Sequence, residues 1–263
     1  MERWLIDCGR QAPDQLHDAG LSWHDITGQI VTHVHGDHVY GLEDFAFMRY
    51  YDSVAGQEAV MRGGPRPKLI AHGAVLAEVW EFLAPSLRYQ RRGNDTRAGT
   101  LEDYFESIAA SEVEGPGASA WNHAERFECG QMALTCRESE HVPGKPSCSL
   151  ELELEPGTED GPLAWWSGDC TVHGDYLADL EPRVQIFFHD CTFVEYPGQV
   201  HGAFSLIEKL PRRVLDKMVL MHHEDDLDAH RERIAALDVR VALPGQRWDL
   251  RTGTQLSGPT FGD

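Results

Sequence analysis

Residues 30–42 read I-V-T-H-V-H-G-D-H-V-Y-G-L, a short apolar run followed by a dense set of possible metal ligands. The run Ile30 to Thr32 has the β-branched composition of a strand. Behind it come His33, His35, Asp37 and His38. Alternate side chains of an extended backbone share a face, so His33 and His35 can reach one cation. The other two, beyond the turn that Gly36 permits, can reach a second cation.

The ligand types indicate which metals this stretch can bind. Imidazole nitrogens with a carboxylate suit zinc, and also iron or manganese, better than they suit calcium or magnesium, which prefer oxygen ligands. The alternative interpretation is a polar loop that is histidine-rich by chance. So dense a cluster at the end of a strand favours a metal site, with room for two ions.

The spacing H-x-H-x-D-H resembles the signature of the metallo-β-lactamase superfamily. The later motifs of that superfamily follow in order, as S-E-H-V-P-G-K-P-S at His141, W-W-S-G-D-C at Asp169 and K-M-V-L-M-H-H at His222. The resemblance implies two metal sites joined by one bridging carboxylate, with the ligands His33, His35 and His141 for the first metal, Asp37, His38 and His222 for the second, and Asp169 between them. It implies two zinc ions as cofactors, with manganese or iron as alternatives. His223 could compete with His222, but His222 directly follows the apolar strand predicted at 218–221.

The same resemblance implies the fold, an α/β (α+β) four-layer αβ/βα sandwich of two mixed β-sheets flanked by helices. A length of 263 residues with 41% hydrophobic residues fits one domain over residues 1–263. Residues 85–125 combine a basic loop, a helical stretch predicted at 101–110 and a Gly/Pro/Ser-rich run, so we expect an insertion or cap there. Relatives usually have strands before the one predicted at Trp4 to Asp7. Either the start of the chain is shortened or misassigned, or another segment or a second subunit covers this sheet edge, and we expect a homodimer.

The motifs after Asp169 resemble the RNase Z and phosphodiesterase branch of the superfamily. H-D-C-T-F at 189–193 is similar to an acidic E-A-T-F-like motif, and V-H-G-A-F-S at 200–205 is similar to a histidine-containing H-S-like motif. The resemblance implies that Asp190 and His201 are catalytic, together with the ligand Asp37. Aspartate replaces the usual glutamate, and Gly202 replaces the usual serine. A histidine kept cationic by a carboxylate can protonate the alkoxide that leaves a phosphodiester.

The net charge of −20 argues against a long nucleic acid as substrate, since binding phosphates normally needs a basic face. No long basic insertion of the kind found in tRNA-processing members is present. We therefore expect a small phosphodiester, such as a cyclic nucleotide or cyclic dinucleotide. The alternatives are a carbonyl hydrolase (lactonase, thioesterase or β-lactamase-like), an RNase Z-like endoribonuclease, or a non-catalytic binding relative.

Two further features bear on the compartment. No apolar run approaches the length of a membrane span. The six cysteines have no C-x-x-C spacing and fit free thiols in a reducing compartment. We therefore expect a cytoplasmic protein without a membrane partner.

Three glutamates alternate along the strand predicted at residues 148–154. Alternate residues of a strand lie on one face, so Glu151, Glu153 and Glu155 share an environment in this interpretation. We expect all three to be solvated charges rather than ligands.

Overall fold

The computed structural model describes residues 2–51, 65–90, 97–114, 123–158 and 161–262. The chain forms two compact units, Met1–Ser111 and Glu112–Asp263. Each unit has a hydrophobic core of its own. Among the helices in the described ranges, none is both long enough and apolar enough to cross a lipid bilayer.

A four-stranded sheet in the order β1-β2-β3-β4 organises the first unit. Its strands are β1 (Trp4–Ile6), β2 (Gly28–Val31), β3 (Lys68–Ala71) and β4 (Glu106–Ser107). All three pairings are parallel. Parallel neighbours need crossover connections. The connection from β1 to β2 contains α1 (Ala12–Asp18), and the connection from β2 to β3 contains α2 (Gly36–Val39) and α3 (Leu42–Tyr51). The connection from β3 to β4 contains α4 (Gly73–Leu87). Within the described residues this sheet is therefore parallel, and the mixed pairing that we expected of both sheets is found in the second unit.

Local sequence explains where the helices of the first unit end. Helix α1 ends at Asp18, and Gly20 just beyond it has a φ of +70°, the left-handed conformation in which helices commonly terminate. A short 3₁₀ helix follows at Trp23–Asp25. Helix α4 buries Val75, Val79, Leu83 and Leu87, which recur every four residues and so form one stripe against the core.

The stretch 101–110, predicted to be helical, has a different structure. A 3₁₀ helix at Leu101–Asp103 leads directly into β4. Tyr104 and Phe105 between them are buried in the core of the first unit. The apolar side chains of this segment thus pack in the core of the first unit. The remainder of the expected insertion lies partly outside the described residues, at 91–96 and 115–122.

The second unit contains an eight-stranded mixed sheet in the order β12-β11-β10-β9-β8-β7-β6-β5. Its strands are β5 (Ser111–Glu114), β6 (His123–Cys129), β7 (Met132–Glu138), β8 (Cys148–Glu153), β9 (Leu163–Trp166), β10 (Val184–Asp190), β11 (Met218–Met221) and β12 (Arg240–Val241). Strands β6 to β9 pair antiparallel, and β9 to β12 pair parallel. The carboxyl ends of β9, β10 and β11 therefore lie along one edge of the sheet.

Short helices pack on this sheet through their apolar residues. They are α5 (Gly174–Leu180), α6 (Phe204–Ile207), α7 (Arg212–Leu215), a 3₁₀ helix at Leu227–His230 and α8 (Arg231–Leu237). Leu177, Phe204, Val214 and Ile234 join the core of the second unit. An antiparallel hairpin, β13 (Arg247–Asp249) and β14 (Thr254–Ser257), follows the last strand of the sheet.

The three glutamates of the β8 region do not share one environment, so that prediction was wrong. Glu151 is buried, and its carboxylate accepts hydrogen bonds from Arg137 Nε at 2.5 Å and from Tyr176 Oη at 2.6 Å. Glu153 pairs with the half-buried Arg126. Only Glu155 is solvated as expected, with an exposed partner, Arg251, at 3.1 Å. Helix α5 covers part of this face of the sheet and brings Tyr176 onto it.

Candidate metal centre

The first unit gathers three histidines directly after β2. His33 is fully buried, and its Nε2 lies 3.0 Å from Nδ1 of His35. The ring centroids of His33 and His38 are 4.1 Å apart. Asp37 has an exposed side chain, with Oδ2 3.5 Å from Nε2 of His38. The end of the strand and the single turn of α2 thus cluster four ligand-type side chains within one unit.

Asp7 belongs to this cluster, although it was not among the candidate residues. Its carboxylate accepts from the backbone amide and hydroxyl of Thr32, both at 2.8 Å, and from Nδ1 of His38 at 2.7 Å. Asp7 has a φ of +59°, a left-handed conformation that aspartate adopts more readily than most residues. Metal-binding histidines commonly donate their second ring N–H to a carboxylate. This arrangement directs Nε2 of His38 away from Asp7 and toward Asp37.

In the second unit, Asp169 lies at the centre of the candidate site. It follows β9 through Gly168, whose φ of +57° turns the chain sharply at this point. The carboxylate of Asp169 is buried and has His141 Nε2 at 3.8 Å on one oxygen and His222 Nε2 at 3.7 Å on the other. Nδ1 of His141 lies 3.0 Å from the carbonyl oxygen of Val200, and burial lowers the pKa of His141. Histidine binds metal ions as the neutral imidazole, so both the protonation state and the ring orientation of His141 suit a metal ligand.

Asp190 links the candidate catalytic histidine to the candidate ligand His222. It ends β10 with no exposed surface, and it accepts from Nδ1 of His201 at 2.8 Å and from Nδ1 of His222 at 3.3 Å. Burial opposes the ionisation of Asp190, but the hydrogen bonds from the two histidines outweigh it and lower the pKa of Asp190. The same hydrogen bond to Asp190 raises the pKa of His201. The pair therefore favours a carboxylate beside an imidazolium.

The tight packing around Asp190 explains why glycine occupies position 202. A Cβ atom on Gly202 would lie 2.1 Å from the carbonyl oxygen of Asp190 and 3.0 Å from the ring of His189. The amide of Gly202 instead approaches Asp190 Oδ2 at 3.4 Å, beside the amide of Cys170 at 3.2 Å. The resembled motif has a serine at this position, and the backbone of Asp190 lies too close to Gly202 for a side chain there.

The two adjacent histidines after β11 have different surroundings. His222 has a φ of +55° and faces Asp169 and Asp190. Both ring nitrogens of His223 lie instead at 3.2 Å from backbone carbonyl oxygens, those of Glu224 and Ala242. The geometry therefore favours His222 over His223 as the ligand.

The donor set of the second unit fits a divalent cation. One ligand-type atom from each of four side chains, Asp169, Asp190, His201 and His222, lies within 4.8 Å of the others. Asp169 and His222 are the candidate ligands of this group, and Asp190 and His201 are its candidate catalytic pair. Imidazole and carboxylate donors suit zinc, manganese and iron. The first unit presents His33, His35, Asp37 and His38, and the second presents His141, Asp169 and His222. That the two sets form one dinuclear centre stays a prediction.

The fold is shared with known metallo-β-lactamase-fold proteins. The metallo-β-lactamase fold protein YhfI from Bacillus subtilis matches with a TM-score of 0.60 and 15% identity, over 92% of this chain and 85% of that one. The short form of human tRNase Z matches with a TM-score of 0.55 and 17% identity, over 86% of this chain and 83% of that one. The protein thus has the mixed α/β metallo-β-lactamase fold that the motifs predicted, with sheets flanked by helices.

Sequence similarity narrows this class to one family. The model of the family described as "Anti-Pycsar protein Apyc1" matches residues 1–240. A relative of that name from Paenibacillus xerothermodurans is 30% identical over 226 residues, which cover 85% of this chain and 78% of the relative. The chain belongs to the Apyc1 family of anti-Pycsar proteins.

Proposed function

We propose that the protein is a dinuclear metal-dependent phosphodiesterase that hydrolyses a small phosphodiester, such as a cyclic nucleotide or cyclic dinucleotide. The observation that carries this proposal is the buried Asp190 carboxylate 2.8 Å from Nδ1 of His201. A proton donor is needed where the leaving group is a poor one, as the alkoxide of a ribose phosphodiester is. The members of the family carry the name anti-Pycsar protein, and we extend an anti-Pycsar role to this chain.

In the proposed centre, seven side chains would hold two metal ions. The first ion would be held by His33, His35 and His141, and the second by Asp37, His38 and His222, with Asp169 shared by both. The hydrogen bonds from His38 to Asp7 and from His141 to the carbonyl of Val200 support these ligand roles, because each fixes the orientation of its ring through Nδ1, as metal-binding histidines commonly do. Zinc is the proposed metal, with manganese or iron as alternatives. When bound, the ions would neutralise the phosphodiester oxygens and make a water molecule more acidic.

The chain's own residues handle the proton in this proposal. His201 carries a proton at Nε2 while its Nδ1–H donates to Asp190, so the imidazolium can pass the Nε2 proton to the departing alkoxide. Asp190 fixes the orientation of the ring and stabilises its positive charge, since it is buried and already ionised. Asp169, 3.8 Å from Nδ1 of His201, adds negative charge nearby.

The proposed substrate is small because the protein is strongly acidic. A net charge of −20 gives no long-range attraction for an RNA or DNA chain. A cyclic nucleotide carries a single phosphodiester, and two cations in the centre would offset its charge locally. This favours a small phosphodiester over the folded RNA of an RNase Z-like endoribonuclease.

Substitution of His201 tests the proposal. We expect His201→Ala to lower kcat on a 3′,5′-cyclic nucleotide by about 10²-fold, a typical contribution of a general acid. Turnover of bis(p-nitrophenyl) phosphate should change far less, because p-nitrophenolate leaves without a proton. Equal losses on both substrates would contradict the proposed role of His201. Hydrolysis of a lactone by the wild-type protein, without phosphodiester cleavage, would instead support a carbonyl hydrolase.

We also propose a cytoplasmic homodimer. All six cysteines are free thiols, which fits a reducing compartment. Strand β1 lies at one end of the four-stranded sheet, and an edge of this kind can pair with another chain. Sedimentation equilibrium measures the mass directly, and the mass of a single chain across micromolar concentrations would refute the dimer.

A further inference from the structure

The segment that carries His201 is closed into a loop by backbone hydrogen bonds. Thr192 forms a parallel bridge with Ala203, in which the Thr192 amide donates to the carbonyl of Gly202 at 2.9 Å. The amide of Phe204 donates to the carbonyl of Thr192, also at 2.9 Å. The position of His201 therefore depends on where Thr192 is held.

Glu224, which follows β11, contacts the start of this loop. Its carboxylate accepts a short hydrogen bond from the hydroxyl of Thr192 and a second, at 3.1 Å, from the amide of Phe193. The hydroxyl of Thr192 in turn accepts from the amide of Val194 at 3.2 Å. Glu224 lies two residues after His222, so one carboxylate connects the turn after β11 to the loop that begins after β10.

We infer that Glu224 is a positioning residue for the reaction: it acts through Thr192 to keep His201 in place against Asp190. The inference rests on the proposed role of His201 as proton donor. Glu224 has no contact with His201 itself among the hydrogen bonds of the described residues, so its effect must pass through the bridge between Thr192 and Ala203. A displacement of about 1 Å at a reacting group can cost about 10²-fold in rate, so a smaller shift of His201 is enough to impair proton transfer.

The packing indicates that loss of Glu224 would leave the fold intact. The side chain of Phe193 packs against Phe204 with ring centroids 4.8 Å apart, and it stacks on His230 at 4.0 Å. Phe193 and Phe204 both belong to the core of the second unit. The start of the loop therefore stays anchored without Glu224. The amide of Phe193 loses its acceptor, and the hydroxyl of Thr192 keeps only the carbonyl of Val194, at 3.2 Å.

The test compares two substrates that differ in their need for a proton donor. We expect Glu224→Ala to lower kcat on a 3′,5′-cyclic nucleotide about tenfold, because a displaced His201 donates its proton less effectively. KM should stay within about twofold, since the metal ligands are retained. On bis(p-nitrophenyl) phosphate, kcat should fall by less than about threefold. Glu224→Gln keeps a carbonyl acceptor and should recover part of the loss.

Two further variants complete the experiment. Asp225→Ala removes the next, exposed carboxylate and should leave both activities unchanged. Thr192→Val removes the hydroxyl from the other side of the same hydrogen bond, so it should reproduce the substrate-selective loss even if Glu224→Ala folds poorly. Combined with Glu224→Gln, it should add little.

The outcomes separate this inference from the proposed function. A wild-type protein that cleaves both phosphodiesters, with Glu224 and Thr192 variants that lose both activities equally or neither, would overturn the positioning role alone. A folded wild-type protein with bound metal that cleaves neither phosphodiester would overturn the proposed function, and the inference with it.

Discussion

Glu151→Ala should be among the most destabilising substitutions on the face of the eight-stranded sheet that α5 partly covers. The side chains of Glu151 and Arg137 are only 10% and 6% exposed, and Tyr176 donates to the same carboxylate. Removing the carboxylate leaves the guanidinium buried without this counter-charge, which costs about 3–5 kcal/mol in comparable buried pairs. We expect the free energy of unfolding to fall by that amount.

Glu155 provides a matched control on the same segment. The side chains of Glu155 and Arg251 are both more than half exposed, so Glu155→Ala should cost less than about 1 kcal/mol. Glu153, whose pair with Arg126 is about one-fifth exposed, should fall between the two. Urea unfolding followed by tryptophan fluorescence gives the free energy of unfolding of the three variants, which can be compared directly if their m-values are equal. Equal effects for Glu151 and Glu155 would refute the argument that burial decides the cost.

The remaining predictions concern the candidate metal centre. Asp7→Asn should weaken metal binding about 10- to 100-fold through His38, as measured by competition with a chromogenic chelator, and unchanged affinity would exclude Asp7 from the centre. Gly202→Ala should lower kcat on a cyclic nucleotide, because its Cβ would push against the carbonyl of Asp190. Gly198→Ala, in open space on the same loop, should have a smaller effect despite its φ of +82°. Removal of bound metal by chelation should lower Tm, and restoring zinc should recover it. An unchanged Tm would argue against a metal ion that binds the folded protein.

The sequence predicts the strand ends of the candidate site well, because the signal is local. Ligand-type residues directly follow apolar runs at His33, Asp169 and His222, and the structure has β2, β9 and β11 at those places. The motif order also predicts the fold class. The parallel arrangement of the first sheet was not predicted, since it follows from crossover connections rather than from any single motif.

The residues that support the site could not be found in this way, because their contacts are long-range. Asp7 and His38 are 31 residues apart, and Thr192 and Glu224 are 32 apart. The carboxylate of Asp7 was visible only as part of a strand and turn, and Glu224 only as one acid in an acidic stretch. Nor does alternation along β8 reveal that α5 covers Glu151 while Glu155 stays exposed. Such differences arise only when distant elements pack.

Metal-dependent hydrolysis of a cyclic nucleotide is the most direct test of the central claim. The protein is stripped of metal with a chelator, reloaded with zinc or manganese, and assayed on a panel of 3′,5′-cyclic nucleotides and cyclic dinucleotides, with Asp169→Ala as the control. We expect hydrolysis that depends on added metal and that is lost in Asp169→Ala. Hydrolysis that persists without metal or in Asp169→Ala, or cleavage of a lactone alone, would contradict a dinuclear phosphodiesterase.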